Sequence, residues 1–358
     1  MKHIATNLLK IQKKCIFLDT ETTGVEESDR LIEVAYATTI PSTDKNGLKI
    51  CYKENLFNTN VPINPIASTV HGYAKWHIQN KDFFKGSEEY EELIKLNKEG
   101  AIFIAHNSPF DLNMLGKEGI SWNVENVIDT LRVARHLIKD EEIKSHSLQY
   151  LRYFFELDLM DEYQKLKKIM NLNEVRPHTA LSDIFILMLF VEFLMQRYGI
   201  SIEDMLKLSK TPILYKKINF GNVFEKGTPY GYIINNTYKQ YGKVKTGISY
   251  LTWAVENMEN LDFDVKHSIK HWLGVAYLNN PMPELKKYFD YAMFLTFNKE
   301  QFNQCLMFSK KPKEYYLLAL ASKIAAYKKK AKASKLNNEE KLLYSYIKDV
   351  RIFEIDNF

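Results

Sequence analysis

The sequence predicts an α/β layer fold followed by a smaller α+β unit, and three observations lead there. Apolar or alternating, β-branched runs recur at 15–18, 31–40 and 101–106. Helical stretches follow or separate them at 88–100, 108–115, 145–155 and 179–199. Beyond Thr211 and Pro212 the texture shifts to Gly, Tyr, Asn and Thr. Strands alternating with helices bury a sheet under helical layers, and a change of composition at a proline marks a boundary between compact units.

Taken in order, Cys15 to Leu18 is a short apolar run that ends in Asp-Thr-Glu-Thr-Thr-Gly, a buried strand turning at Gly24. Leu31 to Ile40 alternates and is β-branched, so it reads as a second strand that forms a hairpin with the first. A helix is expected from Glu88 to Gly100, then a buried strand from Ala101 to His106. Ser108, Pro109 and Asp111 match a helix start, with a side-chain cap, a proline in the first turn and an acid near the N-terminus. The run from Thr179 to Tyr198 is a long buried helix stopped by Gly199, with Arg197 in its last turn. Phe220 to Gly247 carries β character, and 250–273 reads as one helical stretch. Helices alone are expected from Pro281 to Phe358, with basic stretches at 310–313 and 328–335.

With 46% apolar and 26% charged residues over 358 positions, the chain has the composition of a globular protein, and its length suits two compact units. A net charge of +5 permits a polyanionic partner without demanding one. Cys15, Cys51 and Cys305 are odd in number and far apart, which excludes a disulfide framework or a Cys-x-x-Cys metal site and suits a reducing cytoplasm. The first residues lack the apolar core of a signal peptide, and the apolar run from Ile184 to Met195, broken by Glu192, falls short of the roughly 20 residues of a membrane span. No membrane association is expected.

Asp19, Glu21, Asp111 and Asp183 come from three distant segments, and strand-end and helix-start positions can bring them together. Carboxylate oxygens suit hard divalent ions, and two such ions roughly 4 Å apart support phosphodiester hydrolysis. His178 precedes Asp183 by a short loop and suits a general base, since imidazole titrates between about pH 5 and 8. Taken singly, each has an ordinary reading: a strand acid pair, a helix-start acid, a solvated helix acid and a loop histidine.

The motifs Phe-Leu-Asp-Thr-Glu-Thr-Thr-Gly, Ile-Ala-His-Asn-Ser-Pro-Phe-Asp and His-Thr-Ala-Leu-Ser-Asp occur in that order over Ile16 to Tyr198. The set resembles the DEDDh exonucleases, the superfamily of polymerase proofreading subunits, RNase T and oligoribonuclease. The resemblance implies an RNase H-like domain over residues 1–210, with a mixed central sheet flanked by helices. In it Asp19, Glu21, Asp111 and Asp183 bind two Mg²⁺ or Mn²⁺, and His178 activates water. It further implies substrate contacts at Thr20, Thr22 and Asn107, and at His71 within Val70-His71-Gly72, where His71 could equally cap a turn.

Residues 211–280 resemble the small C-terminal module of exodeoxyribonuclease X, with Asn222 where that module has a lysine and a longer Tyr-rich insert before Tyr250. Tyr230, Tyr232, Tyr238 and Tyr241 interleave with Lys226, Lys239, Lys243 and Lys245, which suits base stacking and phosphate neutralisation and equally suits a solvated hairpin. The resemblance implies a 3′ to 5′ exonuclease that releases nucleoside 5′-monophosphates, with single-stranded DNA the favoured partner, in repair or end trimming. An RNase T-like exoribonuclease and a polymerase-associated proofreading or interaction subunit are the alternatives. Residues 281–358 are an extension whose lysines read as a solvated helix face, with a protein partner as a further possibility.

Overall fold

The computed structural model describes residues 8, 11, 13–40, 49–138 and 143–279. The chain divides into two compact units between Thr211 and Pro212.

The first unit is built on a five-stranded sheet of order β3-β2-β1-β4-β5. The strands are β1 (Cys15–Thr22), β2 (Leu31–Ile40), β3 (Lys49–Leu56), β4 (Ile102–Ala105) and β5 (Val127–Asp129). β1, β2 and β3 pair antiparallel, whereas β1, β4 and β5 pair parallel, so the sheet is mixed. This is the α/β architecture expected of the sequence. The helices are α1 (Pro65–His71), α2 (Lys75–Ile78), α3 (Glu88–Lys98), α4 (Ser108–Lys117), α5 (Thr130–Leu137), α6 (Leu148–Phe154), α7 (Asp161–Ile169), α8 (Ala180–Tyr198) and α9 (Ile202–Lys210).

Period-two alternation divides β1 between two cores. Cys15 and Phe17 face a core that includes Ile184, Leu187 and Val191 of α8 and Val133 of α5. Ile16 and Leu18 face a second core with Leu93 of α3 and Leu115 beyond α4's first turns. α8 is apolar all round because it lies inside, and its Glu192 is fully buried with both oxygens engaged, by the Leu8 amide at 2.7 Å and the Gln196 amide at 2.7 Å. Among the described residues no single helix is long and apolar enough to cross a membrane.

Two local expectations differ from the structure. Ser108 is the first residue of α4 and not its cap: the cap is Asn107, in the left-handed region at φ 73° with no side-chain cap bond. The Asn107 amide is held instead by Asp129 Oδ1 at 3.0 Å, so a long-range contact replaces the local cap. The single helical stretch expected over 250–273 is two helices, α11 (Gly247–Asn257) and α12 (Phe263–Asn279), because Asp262 takes the amides of Asp264 and Val265 at 2.9 and 3.2 Å and starts a new helix.

The second unit joins α11 and α12 to a short α10 (Tyr230–Ile233) and a hairpin of β6 (Thr237–Gln240) and β7 (Lys243–Thr246). The β character expected between Phe220 and Gly247 is concentrated in that hairpin, with one isolated bridge from Pro229 to Lys217. Tyr230, Leu251, Ile269 and Leu273 form its core. The helices and basic stretches expected beyond Pro281 lie outside the described residues, as does Cys305.

Candidate active site

Parallel pairing sets β4 beside the first residues of β1, with Cys15 opposite Ile102 and Phe17 opposite Ile104, so β1 runs on past the end of β4. The last residues of β1 therefore lie beside the loop that begins α4. Asp19 and Glu21 extend the face of β1 that α8 covers, and Thr20 points to the other face. There its hydroxyl donates to Asp111 Oδ1 at 2.8 Å and pins the first turn of α4 to the strand. Asp183 arrives from the first turn of α8, its amide bonded to the Thr179 carbonyl at 2.9 Å.

One oxygen each from Asp19, Glu21 and Asp183 can be chosen so that all lie within 4.8 Å of one another. Oxygens on opposite sides of an octahedral Mg²⁺ are about 4.2 Å apart, twice the ~2.1 Å ligand distance, so this triad has the right span for one hard cation. Asp111 stands outside the triad, close enough for its charge to act on both Asp19 and Glu21. His178 lies in the loop before α8, exposed, with its backbone in the left-handed region at φ 61°. Its amide reaches the Asp183 carboxylate. The loop is closed by the Arg176 amide on Ser182 Oγ at 3.2 Å and by the Thr179 hydroxyl on the Arg176 carbonyl at 3.3 Å.

The electrostatics of the cluster are those of crowded acids. Burial, then the charges of Asp111, Asp183, Glu21 and Glu33, push Asp19 well above the usual carboxylate range. Glu21 is pushed up to about 9 by burial and by Glu33, Asp183 and Asp111. Burial raises Asp111 to about 7 against the pull of the Thr20 hydroxyl. Asp183 reaches about 6, also by burial, with His178 and Gln149 opposing the rise. Carboxylates held this close cannot all ionise at neutral pH without added positive charge. An all-oxygen donor set with that deficit fits divalent cations of the Mg²⁺ or Mn²⁺ type.

Two further groups complete the site, and local sequence signals did not single them out. Glu33 of β2 sits directly opposite Glu21 in the antiparallel register and is 1% exposed. It accepts the Tyr73 hydroxyl at 2.7 Å and the first amide of α8, from Ala180, at 3.3 Å, while Glu54 of β3 takes the Leu181 amide. The start of α8, and with it Asp183, is thus clamped to the sheet by two acids at its positive end. Gln149 of α6 donates its side-chain amide to Asp183 Oδ1 and is itself approached by Arg152 at 3.4 Å; Arg152 is buried and held by Asp158 through two 2.9 Å bonds. A Glu on an alternating strand is visible in sequence, but only the register places it against Glu21.

The residues expected to touch substrate fall into two groups. Asn107 is exposed at the start of α4. Thr20, Thr22 and His71 are buried, and their polar atoms are engaged internally: Thr22 donates its hydroxyl to the Gly24 carbonyl at 2.7 Å. The Tyr73 amide donates to His71 Nδ1 at 3.0 Å, so Nε2 carries the proton and donates to the Thr22 carbonyl at 3.2 Å. His71 ties α1 to the end of β1.

The exonuclease family model matches residues 16–190, a span that contains every member of the acidic cluster and His178. Exodeoxyribonuclease 10 of Escherichia coli strain K12 is 22% identical over 261 residues, covering 72% of this chain and 97% of that protein. DNA polymerase III PolC-type of Caldanaerobacter subterraneus subsp. tengcongensis is 28% identical over 183 residues, covering 50% of this chain. The chain spans only 12% of that polymerase. A solved structure of exonuclease X in complex with 5′ overhanging duplex DNA aligns with a TM-score of 0.40 at 21% identity, covering 55% of this chain and 99% of that one. Residues 16–190, just under half of the chain, match the exonuclease family, and Asp19, Glu21, Asp111, His178 and Asp183 all lie within that span.

Proposed function

We propose that the protein hydrolyses phosphodiester bonds from the 3′ end of single-stranded DNA and releases nucleoside 5′-monophosphates, in repair or end trimming. The observation that carries the reading is the convergence of Asp19, Glu21 and Asp183 within 4.8 Å, with Asp111 beside them and His178 at the rim. Asp19, Glu21, Asp111 and Asp183 would hold two Mg²⁺ or Mn²⁺, which supply charge neutralisation and an acidified water when bound. His178, exposed on its loop, takes the proton of the attacking water, a role worth roughly 100- to 10,000-fold. Glu33 and Gln149 hold Asp183 in place; Thr20 holds Asp111. Asn107, exposed at the start of α4, would meet the terminal nucleotide, with Thr20, Thr22 and His71 acting from their buried positions. The exodeoxyribonuclease relative, which aligns across most of both chains, supports DNA over RNA.

The test is a degradation panel of 3′- and 5′-labelled DNA and RNA, single- and double-stranded, with and without EDTA. The expected result is mononucleotide release from the 3′ end of single-stranded DNA, lost in EDTA, restored by Mg²⁺ or Mn²⁺ and absent in Asp19→Ala. Preferential digestion of RNA would redirect the reading to an exoribonuclease. Undiminished hydrolysis by Asp19→Ala would overturn the site.

A further inference from the structure

The second unit contains a cavity of about 610 Å³, within the range of about 300–1,000 Å³ typical of ligand sites. Its wall includes Gly221, Asn222, Tyr238, Lys245, Tyr250 and Trp253. The aromatic rings are ordered: Phe220 lies nearly parallel to Tyr250 (17°, centroids 6.3 Å apart), and Tyr250 nearly parallel to Trp253 (19°, 6.3 Å). Tyr238 meets Tyr250 edge-on at 5.8 Å. The series ends on Trp253, which is 52% exposed, while Tyr241 at the hairpin turn is 93% exposed. Core aromatics bury their rings; here two large rings are left in solvent at the mouth of a cavity.

Gly221 lets the main chain close against Tyr250 in that wall. Its φ is +70°, and a Cβ there would stand 2.0 Å from the Tyr250 hydroxyl. The hairpin beside the cavity is cationic, and its Lys245 is part of the cavity wall. From Thr237 to Thr246 the hairpin carries Lys239, Lys243 and Lys245 and no acid, all three lysines are exposed, and none has an acidic partner among the described residues. The register sets Lys245 opposite Tyr238 and Lys243 opposite Gln240, so two of the lysines share the face of the hairpin that carries Tyr238. The Lys245 ammonium is steadied by Gln240 Oε1 at 2.9 Å. Exposed aromatic faces with unpaired lysines beside them match a ligand that is flat and apolar in one part and anionic in the next. Single-stranded nucleic acid has that chemistry.

We propose that this cavity is a nucleic-acid site separate from the carboxylate cluster, in which a base of a single strand stacks on Trp253 and Lys243 and Lys245 neutralise the flanking phosphates. The choice of nucleic acid as occupant rests on the exonuclease reading; the aromatic and cationic surface does not.

The experiment uses the full chain in EDTA, with anisotropy of a 5′-labelled oligothymidylate as the binding readout across a salt titration. An oligomer of the same length made of abasic sites serves as a charge-matched control. Trp253→Ala should weaken oligothymidylate binding by roughly 5- to 150-fold, the equivalent of about 1–3 kcal/mol per stacked base, and leave abasic binding unchanged. Trp253→Phe, which keeps a ring, should recover most of the loss. The double variant Lys243→Ala/Lys245→Ala should weaken both oligomers and make the salt slope shallower by about 1.4, two phosphates at roughly 0.7 each. Hydrolysis of the p-nitrophenyl ester of thymidine 5′-monophosphate in Mg²⁺, a substrate with one base and no flanking strand, should be unchanged in all variants. Equal affinities and equal salt slopes in wild type and variants would overturn the proposal, as would a Trp253→Ala loss that is the same for abasic strands. Failure of the wild type to cleave the small ester would overturn the exonuclease reading instead, and the binding comparison decides the cavity by itself.

Discussion

Gln149 offers a sharp test of how the acidic cluster is held. Its side-chain amide is a donor to Asp183 Oδ1, and it opposes the upward push that burial exerts on that carboxyl. Gln149→Leu keeps the volume of the side chain and removes the donor. A hydrogen bond to a charged group is worth about 1.5–3 kcal/mol, and at about 1.4 kcal/mol per factor of ten that is a 10- to 100-fold weakening of the ionised, correctly oriented Asp183. Loss of a partner behind a metal ligand costs a similar 10- to 100-fold in metal affinity or activity, an independent route to the same size. The assay is digestion of a labelled single strand against Mn²⁺ concentration. The activation midpoint should rise 10- to 100-fold while the rate at saturating Mn²⁺ stays within a few-fold of wild type. An unchanged midpoint in a folded variant would refute the reasoning, and so would an unchanged midpoint with a collapsed maximal rate.

Three other outcomes follow from particular contacts. Glu33 accepts both the Tyr73 hydroxyl and the Ala180 amide, so Glu33→Ala should lower activity at least tenfold by loosening the start of α8, whereas Glu33→Gln, which keeps an acceptor for Ala180, should retain most of it; steady-state rates on the same strand compare the two. Gly247→Ala would place a Cβ 1.8 Å from the Ile233 carbonyl oxygen, a clash with main chain that no rotamer relieves, and should destabilise the second unit by about 1–3 kcal/mol in denaturant melts. His106 is pushed down to about 4 by burial, from an ordinary 6.5, with its ring nitrogens against the Thr130 hydroxyl and the His146 carbonyl. Because the unfolded chain binds that proton first, its contribution is complete above about pH 6.5 and is lost as pH falls toward 4, up to about 3 kcal/mol at 1.36 kcal/mol per pH unit; His106→Asn should flatten stability against pH across that window.

Several parts of this protein were legible in its residues alone. The β1–β2 hairpin follows from an apolar run, a glycine turn and an alternating run, each a signal carried by near neighbours. The long helix α8 follows from its continuous apolar pattern and the left-handed Gly199 that ends it. The acids at 19, 21, 111 and 183 and His178 could be picked out because motif order survives without knowledge of the fold. Tertiary structure alone decided the rest. β3 and the three-residue β5 have little periodicity of their own and exist because β2 and β4 offer them unpaired edges. Asn107 replaced Ser108 as a helix cap because Asp129, 22 positions away, takes its amide. Glu33 and Gln149 gained their places beside the carboxylates from register and helix packing, as did the alignment of Trp253, Tyr250 and Phe220 around a cavity. Local chemistry selects which groups are available; which of them meet depends on pairings between residues far apart in the chain, where the free energy lies in burial and hydrogen bonds that no short window contains.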